Sequence, residues 1–548
     1  MSQAAQTDSV SLAFDRLCQA LRSQPTHIPL HAQFRRWLWQ HGAEPLSFDL
    51  VAHPGLAEVL DIVFRDRHLV DPTLSGLTAE VLKRRHGIHA SLSADPGVLQ
   101  RLAADRLVLQ WLERTINTDV AWESLLKRIR RCLLFDTDLA KALLPLAVAL
   151  ARQCFNNEYI LTVPSDELVA VSDIERSLDR ACVSRACQRL EVGLALVGMY
   201  RPLQRLALAP QIATLPLHDF SEVVRPMVVS LLHEPLEEQR IVEMIPSFGT
   251  ITAPATRAVR EQYETSPYPR WFQLRPPGMS LPAWLYKTYQ VSLTARFPAQ
   301  RLQVLVAGCG TGQEPLNLAV SNPQADILAI DLSRASLAYS QRMAAKFGIH
   351  NVTFLHGDLT EIECLKRQFH HIVCVGVLHH LPSPIEGWRA LEQVLLPGGT
   401  MQVGVYSRMA RLPVTLARQE IAQHGFDASS DHLRRFRDML LHEPRYQGLR
   451  RAVVHTSDFY YSSGFRDLLF HVCEHHYTLT ELEQTLDQCQ LALLGARLLL
   501  PALITKYADY FPGEHRVDSF DKWRCLEKDY FGTLNLFICW LEKSPARC

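Results

Sequence analysis

Val304-Leu-Val-Ala-Gly308-Cys-Gly310-Thr-Gly312 runs an apolar, β-type segment straight into three glycines spaced two apart. Glycine permits a tight turn and close approach of a ligand, which a side chain at these positions would hold away from the backbone. Beyond it, apolar runs at Ile327 to Asp331, Val352 to Leu355, Ile372 to Leu378 and Met401 to Tyr406 alternate with helical patterns. Those patterns cover Glu314 to Val320, Ser333 to Phe347 and Pro384 to Leu395. Near-continuous apolar strands separated by helices predict a parallel sheet covered on both faces, a doubly wound α/β domain.

The strand ends carry acids. Asp331 closes the second strand 19 residues after Gly312, where a carboxylate accepts hydrogen bonds from both hydroxyls of a ribose. His356-Gly357-Asp358 closes the third, placing an acceptor for an adenine amino group. A dinucleotide fingerprint needs a further glycine at position 313, which is Gln, so a dehydrogenase is disfavoured.

Residues 304 to 407 resemble the class I S-adenosylmethionine-dependent methyltransferases. VLVAGCGTG is similar to their motif I, ILAID to motif II, HGD to the adenine-contact motif, IVCVGVLHHL to the fourth-strand motif and LLPGGTMQVGVYS to the fifth strand. The resemblance implies a seven-stranded, Rossmann-like sheet ending in a reversed hairpin, which the late apolar runs Leu491 to Leu500 and Thr533 to Leu541 would supply. It implies S-adenosyl-L-methionine as cofactor, with Gly308, Cys309, Gly310 and Gly312 at the methionine end. Asp331 and Leu332 would hold the ribose, and Asp358 and Leu359 the adenine. The family carries an acid two positions before the first glycine; here that position is Val306. Its amide and adenine N-methyltransferases carry an Asn/Asp-Pro-Pro-Tyr/Phe loop where this chain reads Cys374-Val-Gly-Val377, which disfavours those acceptors.

Upstream, from about Ser9 to Glu243, apolar residues recur at spacings of three and four, with prolines such as Pro25, Pro45, Pro54, Pro72, Pro96 and Pro164 between them. This predicts an all-α N-terminal domain over 1–245, built of many short helices. A proline- and aromatic-rich connector over 246–300 contains Tyr263 and Arg270, expected to close over the cofactor, with Arg270 meeting its carboxylate. The methyltransferase domain is expected over 301–548, with a helical insertion at about 410–490 acting as a lid. Gln153-Cys-Phe-Asn-Asn-Glu-Tyr159 and Asp458-Phe-Tyr-Tyr-Ser462 resemble segments of bacterial proteins in which such a domain follows a helical region, often with tetratricopeptide repeats.

For the acceptor side, His379 and His380 after the fourth strand, Tyr406 after the fifth, and His471 in the insertion are the candidate catalytic groups. Histidine titrates near about 6.5 and can take a proton. Asp458, Tyr460, Arg466 and His475 lie within the same reach. His471 and His475 stand four apart in an expected helix, a spacing that can offer two ligands, but sequence fixes no third and no metal is assigned.

Equal numbers of basic and acidic residues, 57 each, argue against a dedicated nucleic-acid or anionic-membrane surface. The run Lys127-Arg128-Ile129-Arg130-Arg131 reads as a solvated helix face. Thirteen scattered cysteines with no Cys-x-x-Cys pair fit a reducing cytoplasm, and no apolar stretch approaches a membrane span. The expected activity is methyl transfer to a protein, peptide or small-molecule acceptor. The alternative is a catalytically silent scaffold that binds S-adenosylmethionine.

Overall fold

The computed structural model describes the chain except residues 1–2, 42–49, 66–71, 184–186, 276, 299, 499–500, 515, 530–535 and 544–548. Pro45, the end of the Leu491 to Leu500 run and the start of the Thr533 to Leu541 run lie outside the described residues.

Seven strands form one sheet in the order β3-β2-β1-β4-β5-β7-β6. They are β1 (Gln303–Ala307), β2 (Asp326–Asp331), β3 (Val352–His356), β4 (Phe369–Val375), β5 (Leu395–Tyr406), β6 (Leu491–Ala496) and β7 (Leu536–Lys543). β1 to β5 pair in parallel, with Val306 opposite Ala329 and Val373. β7 is antiparallel to both β5 and β6, so the predicted closing hairpin is present. β4 ends at Val375 rather than Leu378, because Gly376 takes a left-handed φ of 79° and turns the chain out of the sheet.

Alternate residues of β1 explain why both faces are covered. Leu305 and Ala307 pack with Trp388 and Leu391, whereas Val304 and Val306 pack with Leu285, Leu316 and Trp540. Crossover helices Gln313–Ser321, Arg334–Lys346 and Pro384–Val394 supply these layers. A capping box, Thr478-Leu-Thr-Glu481, starts helix Leu479–Gln488.

Every regular element among the described residues of the N-terminal region, up to Met244, is a helix. Asp95, Asp105, Asp119 and Asp136 each accept a backbone N–H at a helix start, which fixes the many short helices the sequence suggested. The basic run is only partly solvated. Arg130 is buried against Glu167 at 3.2 Å and under the Tyr200 ring, while Arg131 pairs with Asp166 at 2.5 Å.

The insertion departs from the expected simple lid. Val414, Leu433, Phe436, Tyr446, Phe459, Phe465 and Leu469 share one continuous apolar core with Leu125, Ile129, Leu146 and Leu150 of the N-terminal region. A buried, bidentate pair joins them, Arg437 to Glu123 at 2.8 and 2.6 Å. The first part of the insertion is therefore packed as an extension of the N-terminal helices.

Candidate functional site

The loops leaving β1, β2, β3, β4 and β5 line a cavity of about 460 Å³ at the carboxyl ends of the strands. That is the position where doubly wound sheets bind ligands, and the volume suits a small molecule. Asp331 lies at its centre. Its Oδ2 accepts a 2.7 Å bond from Gly310 N and its Oδ1 a 2.9 Å bond from Ser333 N. Burial nevertheless pushes its carboxyl up to about 6. Asp358 lines the same cavity while its Oδ1 caps Thr360 N at 2.9 Å.

Gly308, Cys309, Gly310, Leu332, Leu359 and Tyr263 also line this cavity; Gly312 does not. The glycines meet protein rather than open space. A Cβ at 308 would strike Val377, at 310 the Tyr268 carbonyl at 2.5 Å, and at 312 Ser340, and all three residues have left-handed φ. Their immediate physical role is to admit these neighbours. Gly376, by contrast, lines the cavity with nothing among the described residues within 4 Å of where a Cβ would stand. Ser336, another lining residue, has a fully buried Oγ with no hydrogen-bond partner among the described residues. The orphaned hydroxyl, the open cradle at Gly376 and two carboxylates at adjacent strand ends fit the hydroxyls and amino group of an adenosine.

The connector is strapped across the glycine turn. Thr311 N donates to the Tyr268 carbonyl at 3.3 Å, the Thr311 hydroxyl bonds the Pro269 carbonyl, and Trp271 Nε1 donates to Thr311 O at 2.9 Å. Arg270 does not follow Tyr263 into the main cavity. Its guanidinium lies over Phe155 at 4.4 Å and faces Glu158 at 3.7 Å, in a neighbouring cavity of about 260 Å³ between the connector and the helical domain. The aromatic face and the acid of the helical domain hold it there.

Of the acceptor-side candidates, His380 and Tyr406 line the main cavity; His379 and His471 do not. His379 is fully buried between the rings of His380 and Tyr406, at 4.2 and 4.0 Å, with both nitrogens unpartnered. Burial holds it well below its usual range, in the neutral form. His471 stacks on His380 at 3.7 Å. Residues 470–476 are not helical, so the expected helical pairing of His471 with His475 is absent, and His475 instead donates its backbone N–H to His379 O. Arg466 is not among the residues lining the cavity, and Tyr460 is packed in the helical core.

Asp467 is the residue sequence reasoning missed. It lines the main cavity, and its Oδ1 accepts the Tyr263 hydroxyl proton at 2.7 Å. His380, Asp467 and His471 bring ligand-type atoms within 4.8 Å of one another. The signal that would have found Asp467 is its place beside Phe465, Leu468 and Leu469 on the buried side of helix Ser462–Leu469. An acid there is buried, and a buried acid needs a partner.

Residues 299–442 match the family model described as a methyltransferase domain. This segment is similar to such domains. The strand order 3-2-1-4-5-7-6 around it is that of the class I methyltransferase fold. An uncharacterized protein of Synechococcus sp. is 31% identical over 45% of this chain and 61% of its own length. The trans-aconitate 2-methyltransferase of Deinococcus radiodurans is 35% identical over 19% of this chain and 37% of its own. The chain thus covers less than two thirds of either relative. Among solved structures, PKMT2 from Rickettsia typhi is similar at 18% identity and a TM-score of 0.36, covering 49% of this chain and 54% of that one. Among the described residues, no helix is long and apolar enough to cross a membrane.

Proposed function

We propose that the chain is an S-adenosylmethionine-dependent methyltransferase whose acceptor, a protein, peptide or small molecule, enters beneath the helical insertion. One observation carries this reading: a single cavity runs from Asp331 and Asp358, past Gly308 to Gly310, to His380, Tyr406 and Asp467. Asp331 would hold the ribose hydroxyls with its remaining lone pairs, Asp358 and Leu359 the adenine, and Gly308 to Gly310 the amino-acid end. When bound, the cofactor supplies a methyl carbon activated by a positively charged sulfur. The protein's task is then alignment, exclusion of water and management of the acceptor's proton. The N-terminal helical domain, sharing its core with the insertion, would present the acceptor.

The test is mass spectrometry of a cell extract incubated with the protein and isotopically labelled methyl donor. Labelled product supports an enzyme. The second reading, a silent cofactor-binding scaffold, is favoured by Val306, which leaves an apolar wall where the family has an acid. Cofactor binding without any labelled product would select it.

A further inference from the structure

Tyr263, Asp467 and His471 form a hydrogen-bonded chain whose direction the surrounding backbone sets. His471 Nδ1 accepts a 3.0 Å bond from Cys473 N, and burial holds the ring down to about 2, so it is neutral. A neutral imidazole that accepts at Nδ1 carries its proton on Nε2. That proton points to the Tyr263 hydroxyl oxygen 3.1 Å away. The hydroxyl must then give its own proton to Asp467 Oδ1, 2.7 Å away. Asp467 Oδ2 has no partner among the described residues, and the residue lines the cavity beside His380 and Tyr406.

We propose, on the reading that the cavity binds S-adenosylmethionine, that Asp467 is the catalytic residue that takes the acceptor's proton, with Tyr263 and His471 as its positioning residues. The acceptor is accordingly a protic nucleophile, an O–H or N–H group. Its lone pair forms the bond to the methyl carbon, the carbon–sulfur bond breaks with its electron pair left on sulfur, and the acceptor proton passes to Asp467 Oδ2 and then to water. Asp467 and His471, together with His380, have the atoms of a metal site, but His471 Nε2 carries its proton in this chain and the Tyr263 hydroxyl bonds both Asp467 and His471. A metal ligand must offer a lone pair there.

The charge on Asp467 is set by several elements. Tyr263, Tyr268 and Tyr406 face it from the connector and β5, and Arg411, Arg418, Glu474 and Asp458 from the insertion, along with the neutral His380 and His471. Burial dominates and lifts its carboxyl to about 6, while the Tyr263 hydrogen bond opposes the rise. Methyl transfer should therefore climb with pH through about 6.

The experiment measures cofactor affinity by calorimetry and label transfer from methyl donor into a bacterial extract between pH 5 and 9, for the full chain and three variants. Asp467→Asn keeps an oxygen for Tyr263 but cannot take a proton; it should bind the cofactor within about twofold of wild type and lose about 100-fold or more of transfer. Asp467→Glu should recover part of the loss. Tyr263→Phe removes the donor that favours the carboxylate, so its ascending limb should move up by about one pH unit. Wild-type-like transfer by Asp467→Asn, or an unmoved limb in Tyr263→Phe, overturns the assignment. So does transfer that is lost on chelation and restored by a divalent cation, and so does a wild-type chain that binds cofactor yet labels nothing. Absence of cofactor binding by wild type would instead remove the reading on which it rests.

Discussion

Gly310 and the Tyr268 carbonyl are in direct contact: a Cβ at 310 would stand 2.5 Å from that oxygen. The connector therefore reaches the glycine turn through backbone, and the turn's shape depends on a segment more than thirty residues upstream. This contact and the Asp331 bond to Gly310 N hold the turn from two sides.

Gly310→Ala and Gly376→Ala should separate packing from ligand space. Both positions have left-handed φ, 52° and 79°, so each substitution costs about 1–2 kcal/mol in backbone conformation. Gly310→Ala also displaces the connector and should lower thermal stability further. Gly376→Ala meets no atom of the described residues within 4 Å and should act chiefly on cofactor affinity. Paired thermal melts and calorimetric titrations check the contrast.

Arg270→Ala should leave cofactor affinity within about threefold, because the guanidinium lies over Phe155 rather than in the main cavity. Its cost should fall on stability, about 0.5–2 kcal/mol for a partly buried cation–π contact. Chemical denaturation of the variant measures it.

Arg437→Ala or Glu123→Ala leaves one buried charge unpaired between the insertion and the helical domain. Either should destabilise by about 3–5 kcal/mol, whereas replacing both with apolar residues should cost much less. Denaturant titrations of the three variants form the cycle.

Asp331, Asp458 and Asp467 are each pushed up by burial to about 6, from an ordinary 3.8. With the folded value above the unfolded one, the folded state holds more protons between about pH 4 and 6. Stability from these groups is present below about pH 4 and declines as pH rises to about 6, by up to about 1.4 kcal/mol per pH unit per group. Asp458→Asn should flatten that decline, read from unfolding free energies measured across the range.

The sheet was legible because strands buried on both faces need continuous apolar residues, as in Val304 to Ala307, and the acids at positions 331 and 358 stand at strand ends that the sequence places. The allegiance of the insertion was not legible. Periodicity in helix Ser430–His442 shows that one face is apolar, not that Phe436 and Leu440 pack against the distant N-terminal helices. His379 and His380 are adjacent in sequence, yet only His380 reaches the cavity, because successive residues of a tight turn point different ways. Asp467 carried no motif, and its importance arises from a tyrosine 204 residues away.

Calorimetric titration of the full chain with S-adenosylhomocysteine, beside Asp331→Ala, tests the central claim most directly. Wild type should bind one equivalent, and the variant should lose about 1.5–3 kcal/mol of affinity as the charge-assisted ribose bonds and the tether on Gly310 disappear. No binding by wild type, or equal affinity in the two proteins, would contradict the account.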